Sequence, residues 1–195
     1  MKYLFIVQGE GRGHLTQAIS LSQMLRHHGH EVVEVLVGKS SNREIPSFFL
    51  EKIGAKVKTF ASPNFCYGRD HKKVKLAKSI LLNITVKKLR EYRKSVNLIH
   101  RHIQKMEPDV VINFYEILAG LVNLRFREHV PFVCIAHQFL MKHPDYQYGN
   151  GTRKEEILLR LNNTLCSIGA TKTLALSFYP LKDFYQERMA VVVDP

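Results

Sequence analysis

The sequence predicts an α/β protein, a doubly wound Rossmann-like parallel sheet with helices on both faces. Three observations carry that expectation. Short, continuous apolar runs, LFIV at 4–7 and DVVIN at 109–113, have the character of strands buried on both faces. They alternate with segments whose apolar residues recur at helical spacing. The first run ends in a glycine-rich turn that leads straight into a helix.

Taken in order, Tyr3–Val7 is the first strand. Leu15–His28 repeats Leu15, Ala18, Ile19, Leu21 and Leu25 at helical spacing, and Gly29 ends it. Glu31–Val37 is a Val-rich second strand, Arg43–Ile53 a helix closed by Gly54, and Lys56–Phe60 a third strand. Ser62–Asp70 reads as a loop, and Val74–Met106 as a long basic helical region with a break near Asn83–Thr85. Asp109–Asn113 is strand four, Glu116–Glu128 a helix, and Pro131–His137 strand five. Gln138–Thr152 reads as a loop, Arg153–Ile168 as a helix, Thr171–Ser177 as strand six, and Met189–Asp194 as a last apolar run. Right-handed crossovers between such strands give the doubly wound arrangement.

The length of 195 residues fits a single domain. No stretch reaches the roughly 20 apolar residues of a membrane span, and the apolar run at the N-terminus is too short for a signal peptide. The expected location is cytoplasmic. Cys66, Cys134 and Cys166 are odd in number and lack CxxC spacing, which argues against a disulfide framework or a zinc site and for reduced thiols.

The net charge of +12 is concentrated. Between His71 and Lys105, eleven Lys/Arg face Glu91 alone, leaving +10 in that segment. Lys72, Lys73, Lys75, Lys78, Lys87 and Lys88 form an anion or membrane patch among apolar residues such as Leu76, Ile80 and Leu89. One reading is an amphipathic helix on an anionic membrane; the other is a helix packed on the sheet with a solvated outer face. Nucleic acid is an unlikely partner, because no stacking series or RNA or DNA motif accompanies the charge.

The turn after the first strand reads Gly9-Glu10-Gly11-Arg12-Gly13-His14. Its glycines allow unusual backbone angles and close approach of a ligand. The helix start adds unpaired N–H groups and a positive dipole end, a phosphate or anion site. The dinucleotide fingerprint fails, because His14 stands at the third glycine and strand two ends in Val37-Gly38-Lys39 without an acid. Lys39 leaves an NADP-binding reductase as an alternative. A P-loop is absent.

Gly11-Arg12-Gly13-His14-Leu15-Thr16-Gln17-Ala18 resembles the G-x-G-H-x-x-x-A signature that opens the N-terminal domain of GT-B glycosyltransferases, in particular the family 28, MurG-like branch. The resemblance continues at VVEVLVG, at Pro108-Asp109-Val110-Val111 and at Ile135-Ala136-His137-Gln138, and covers the whole chain. These relatives often carry Arg where Gln17 stands, so no ligand contact is carried over to position 17.

The resemblance implies that residues 1–195 form the acceptor-side half of an inverting glycosyltransferase, with the nucleotide-sugar held mainly by a C-terminal domain absent from this chain. It implies no bound cofactor, no metal, an acceptor that is lipid-linked in related enzymes, and a chain inactive alone. A non-catalytic, membrane-recruiting subunit of a split enzyme is the alternative. His14 is the implied base or orienting group, with a simple helix-capping role as the other reading.

The residues past the strand ends should converge on one rim. Glu116 is an alternative base, or else an acid favoured by the helix dipole. Gly11, Arg12, Gly13, Asn113, His137 and Gln138 are expected to bind acceptor or phosphate, with satisfaction of backbone groups as the other reading for His137 and Gln138.

Overall fold

The computed structural model describes residues 1–63, 85–144, 146, 153–178 and 190–193. Seven strands form one all-parallel sheet: β1 (Lys2–Gln8), β2 (Glu31–Lys39), β3 (Val57–Ala61), β4 (Val110–Phe114), β5 (Phe132–Ala136), β6 (Lys172–Leu176) and β7 (Ala190–Val193). Their order is β3-β2-β1-β4-β5-β6-β7. Among the described residues the α-helices are α1 (Arg12–His27), α2 (Ser47–Lys52), α3 (Val86–Met106), α4 (Ile117–Phe126) and α5 (Arg153–Cys166).

Alternation along β1 builds both faces. Phe5 and Val7 point to one face with Leu15, Ala18 and Ile19 of α1 and Phe49 of α2. Leu4 and Ile6 point to the other, with Tyr92, Val96, Ile99 and Ile103 of α3 and Leu118 and Val122 of α4. All four β1 side chains have no exposed surface. A strand buried on both sides must be apolar at every position, which is why β1 reads as an unbroken run.

Helix ends follow local chemistry. Gly29, at φ +75°, takes the left-handed conformation that ends α1. Helix α2 is shorter than the Arg43–Ile53 expectation because Pro46 precedes it: proline starts a helix well but disfavours helical geometry in the residue before it. The 3-10 turn His137–Lys142 replaces the first part of the loop expected over 138–152. Within α3 the residues from Tyr92 onward pack their apolar stripe on the sheet, so most of that face is core. Only Val86 and Leu89, at the helix start, remain exposed. Lys72, Lys73, Lys75 and Lys78 lie outside the described residues.

One buried polar cluster ties α3 to the sheet. Glu34 in β2 is 2% exposed, and its carboxylate meets His102 Nδ1 at 2.6 Å and Lys58 Nζ at 3.2 Å. A carboxylate removed from water in mid-strand requires such partners.

The contact between α4 and α5 is set by one missing side chain. A Cβ built on Gly120 would overlap the Leu165 carbonyl, a backbone atom that cannot swing aside. Gly120→Ala is therefore expected to destabilise the fold by about 1–3 kcal/mol, the usual cost of overpacking. Urea unfolding of the variant against the parent checks this; an unchanged midpoint contradicts the tight contact.

Candidate functional site

The chain runs from β1 outward to β2 and β3, then returns to place β4 against the other edge of β1. That reversal opens a crevice at the carboxyl ends of β1 and β4, the place where open α/β sheets hold ligands. Residues 9–14 flank it on one side and Tyr115-Glu116 on the other.

The glycine turn is anchored from β2. Gly9 N–H donates to the Gly38 carbonyl at 2.8 Å, one rung beyond the Gln8–Gly38 pair of the ladder. Ser40 N–H donates to Glu10 Oε1 at 2.6 Å, and Arg43 Nε–H to the Gly9 carbonyl at 3.3 Å. A Cβ on Gly9 would fall 2.7 Å from Val37 Cγ1, so the close approach of two strand ends requires glycine there.

Gly11 and Gly13 differ from expectation. Gly11 has φ −105° and caps α1, and neither is among the left-handed glycines. A Cβ on Gly13 would meet nothing within 4 Å, and one on Gly11 only Gln8 Oε1 at 4.0 Å. Their small size serves neither backbone geometry nor packing within the described chain; it leaves open room over the helix start. Helix α1 begins at Arg12, earlier than the sequence suggests. It has no side-chain cap and no acid in its first turn, so the positive dipole end and its N–H groups face that room.

His14 lies in this first turn, yet its side chain is 6% exposed. Its ring stacks on Tyr115 at 5.5 Å and on His137 at 6.2 Å, and Nδ1 is 3.3 Å from Gln17 Oε1. Burial, with the neighbouring His137, lowers its pKa to about 4, so the imidazole is neutral at pH 7. Desolvation lowers the pKa of His137 as well. His137 itself is exposed at the rim, as the first residue of the 3-10 turn.

Tyr115 is a site residue that the sequence did not single out. Its φ of +61° places a bulky non-glycine residue in the left-handed region, a strained conformation that persists only where its surroundings hold it. The Tyr115 hydroxyl donates to Asn163 Oδ1 at 2.6 Å, and its ring meets Phe139 edge-on at 5.8 Å. Those contacts hold the ring against His14. No local pattern announces such a residue, because the contacts come from α5 and the 3-10 turn.

Two expected ligand groups turn inward. The Asn113 amide donates to the carbonyls of Glu116 at 3.1 Å and Cys166 at 3.0 Å, and its oxygen accepts from Glu116 N–H at 2.8 Å. Fully buried and fully bonded, it shapes the β4–α4 turn and has nothing left for an acceptor.

Glu116, considered as a base, also has no exposed surface. Its Oε1 accepts from Ser62 Oγ at 2.6 Å and from Leu118 N–H at 3.1 Å, which makes it the N-cap of α4 and a tie to the end of β3. Its Oε2 has no partner among the described residues and lies where a Cβ on Gly38 would be. These contacts give the Glu116 carboxyl a place in the fold, tying the start of α4 to the end of β3.

Gln138 is half-buried; its carbonyl accepts from Asn163 Nδ2 at 2.9 Å, while its Oε1 is enclosed without a partner among the described residues. Arg12 is exposed at the mouth.

Beside this group runs a cleft of about 630 Å³ between α1 and the sheet. Gly13, Gln17 and His137 line its polar end, and Phe114, Ile135 and Leu176 its apolar floor. That volume is in the small-ligand range. Cys134 and Cys166 are buried free thiols, and burial pushes Cys134 up to about 12. Among the described residues no group of three or more His, Cys, Asp or Glu could hold a metal ion. No helix among them is long and apolar enough to cross a membrane.

Burial raises the Glu116 pKa to about 7, because its charged form is poorly solvated. The fold therefore favours the protonated acid. Its stabilising share is complete below about 4.5 and is lost as pH rises from there through 7, a total on the order of 3 kcal/mol. His14 acts in the opposite sense, with stability present above 6.5 and lost as pH falls toward 4. The two slopes oppose each other over the shared range, so each is visible only by difference. Glu116→Gln, which mimics the neutral acid, should gain on the parent in urea unfolding as pH rises from 4.5 to 7.5. A difference independent of pH contradicts the raised pKa.

A protein-family model described as glycosyl transferase family 1 matches residues 1–192. A comparison with curated protein sequences gave no match. Among solved structures the chain is similar to MurG of Acinetobacter baumannii, at 14% identity and a TM-score of 0.51, covering 98% of this chain and 45% of that one. It is also similar to a UDP-GlcNAc 2-epimerase from Neisseria meningitidis bound to UDP-GlcNAc, at 14% identity and a TM-score of 0.50, covering 90% of this chain and 40% of that one. The chain thus spans less than half the length of either, and at such identities the likeness speaks for the fold. The expected fold and the resemblance to the N-terminal domain of GT-B glycosyltransferases hold: this chain is a GT-B-type Rossmann-like domain and belongs to glycosyl transferase family 1.

Proposed function

We propose that this chain is the acceptor-side, N-terminal half of an inverting glycosyltransferase in which His14 is the base. The observation that carries the reading is the neutral, enclosed His14 ring, stacked on Tyr115 and His137 at the switch point of the sheet, beneath the open turn at Gly11 and Gly13. In inverting transfer the acceptor hydroxyl attacks the anomeric carbon as the nucleoside diphosphate departs, and a base accepts the hydroxyl proton.

A neutral imidazole can accept that proton, but a pKa of about 4 makes it a weak base in the free domain. The donor diphosphate would correct this. A negative charge brought to the positive end of α1 favours the imidazolium and raises the His14 pKa toward neutrality. Gly11, Arg12 and Gly13 are the groups proposed to meet that charge. His137, Gln138 and the polar end of the cleft are proposed to meet the acceptor.

The donor-binding wall is assigned to a C-terminal domain or partner chain, by analogy with the longer structures of the same fold. The 195-residue chain alone should therefore turn over no nucleotide-sugar, and turnover by it would contradict this division of labour. In the two-domain protein, His14→Ala should lower kcat by about 10²–10⁴, the usual range for a general base. The acidic limb of kcat/KM should lie below pH 6.5, and that of kcat at a higher pH than that of kcat/KM. Wild-type rates in the variant, with its fold intact, would remove His14 from the chemistry.

A peripheral membrane role has its own support. Val86 and Leu89 are 68% and 52% exposed among Lys87, Arg90 and Arg93 at the start of α3. An apolar groove of about 520 Å³ beside them is flanked by Arg93 and Arg125. Val86→Gln with Leu89→Gln should reduce sedimentation with anionic vesicles while neutral vesicles show little binding in either form. Equal binding to both vesicle types contradicts attachment through this surface.

A further inference from the structure

We propose that a second pocket, at the carboxyl ends of β2 and β3 and closed by the first turn of α3, binds the phosphoryl group of a phosphate ester. The pocket has a volume of about 590 Å³, within the range of small-ligand sites. Three ammonium groups line it: Lys39, the last residue of β2, and Lys87 and Lys88 of α3. Glu91 is the sole acid in its lining, and it is committed to Lys88, Oε2 to Nζ at 3.1 Å. Among the described residues, neither Lys39 nor Lys87 has a carboxylate within 4 Å.

The placement of the lysines is unfavourable without an anion. Lys87 and Lys88 occupy the first turn of a 21-residue helix, where the dipole is positive, and Glu91 in the next turn offsets Lys88 alone. Lys39 adds a third positive charge from the opposite wall. Local conflicts of this kind are expected where a site serves a ligand. Thr59 and Thr85 also line it, the Thr85 hydroxyl accepting from Lys88 N–H at 3.3 Å as the cap of α3. Lysines from β2 and from α3 suit a compact, multiply charged group with acceptor oxygens on several sides, which is a phosphoryl group rather than a planar carboxylate.

The cleft beside α1 is a contrast, for its lining carries no Lys, Arg, Asp or Glu. The two cavities therefore sort ligand chemistry, one apolar and one anionic. The inference is independent of the reading of His14, which lines neither wall of this pocket. The phosphoryl group has two possible sources, a soluble phosphate ester or a phospholipid headgroup.

The test titrates the 195-residue chain with glycerol 3-phosphate by calorimetry, and separately with vesicles of phosphatidic acid or of phosphatidylcholine. Saturable binding is expected to at least one phosphate-bearing probe, weakened at least tenfold by combined Lys39→Gln and Lys87→Gln. Lys105→Gln, the same loss of charge at the far end of α3, should leave it unchanged. Binding of glycerol 3-phosphate without a preference for phosphatidic acid vesicles assigns the soluble ester. A preference for those vesicles that the double variant abolishes assigns the headgroup. No saturable binding to either probe, or equal weakening by Lys105→Gln, overturns the proposal. Neither result bears on sugar transfer by the two-domain protein.

Discussion

The hydrogen bond from Gly9 N–H to the Gly38 carbonyl is the constraint on which the site depends. It carries the β1–β2 ladder one step past the sheet and fixes where the chain leaves β1. Both partners must lack a side chain. A Cβ on Gly9 would strike Val37 and the Gly38 carbonyl, and one on Gly38 would strike the Glu116 carboxyl. From that exit α1 starts at Arg12, and His14 falls three residues past the cap with its ring buried.

The other side of the crevice is held by a separate set of buried polar bonds. Asn113 closes the β4–α4 turn, Glu116 caps α4 and bonds Ser62 at the end of β3, and Tyr115 is forced between them into a left-handed conformation. The bonds link β3, β4, α4 and α5, so the ring that stacks on His14 is supported by much of the domain. An enclosed histidine held in this way has its position set before any ligand arrives.

Much of this was legible in the chain. LFIV, DVVIN and the α1 periodicity follow from burial on two faces and on one, and both periods are local properties. The glycine turn at residues 9–14 and the helix start after it were legible because both are local too. The failures have physical causes. The reason for Gly9 is Val37 and Gly38, and for Gly120 it is Leu165, both remote in sequence. Asn113 and Glu116 follow strand ends as ligand groups would, but distant partners, Cys166 and Ser62, claim them for the fold. Tyr115 carries no mark in the sequence, since its strain is imposed from Asn163 and Phe139. Pro46, inside the expected Arg43–Ile53 helix, is a local helix-start signal and marks where α2 begins.

The central claim is that His14 is a buried, neutral imidazole at the crevice, and histidine-selective ¹⁵N NMR over pH 3–8 measures that directly. The His14 ring is expected to titrate near pH 4 and to be neutral still at pH 5.5. A His14 midpoint at or above 6.5 would mean that the ring is solvated, and the site as described would not exist.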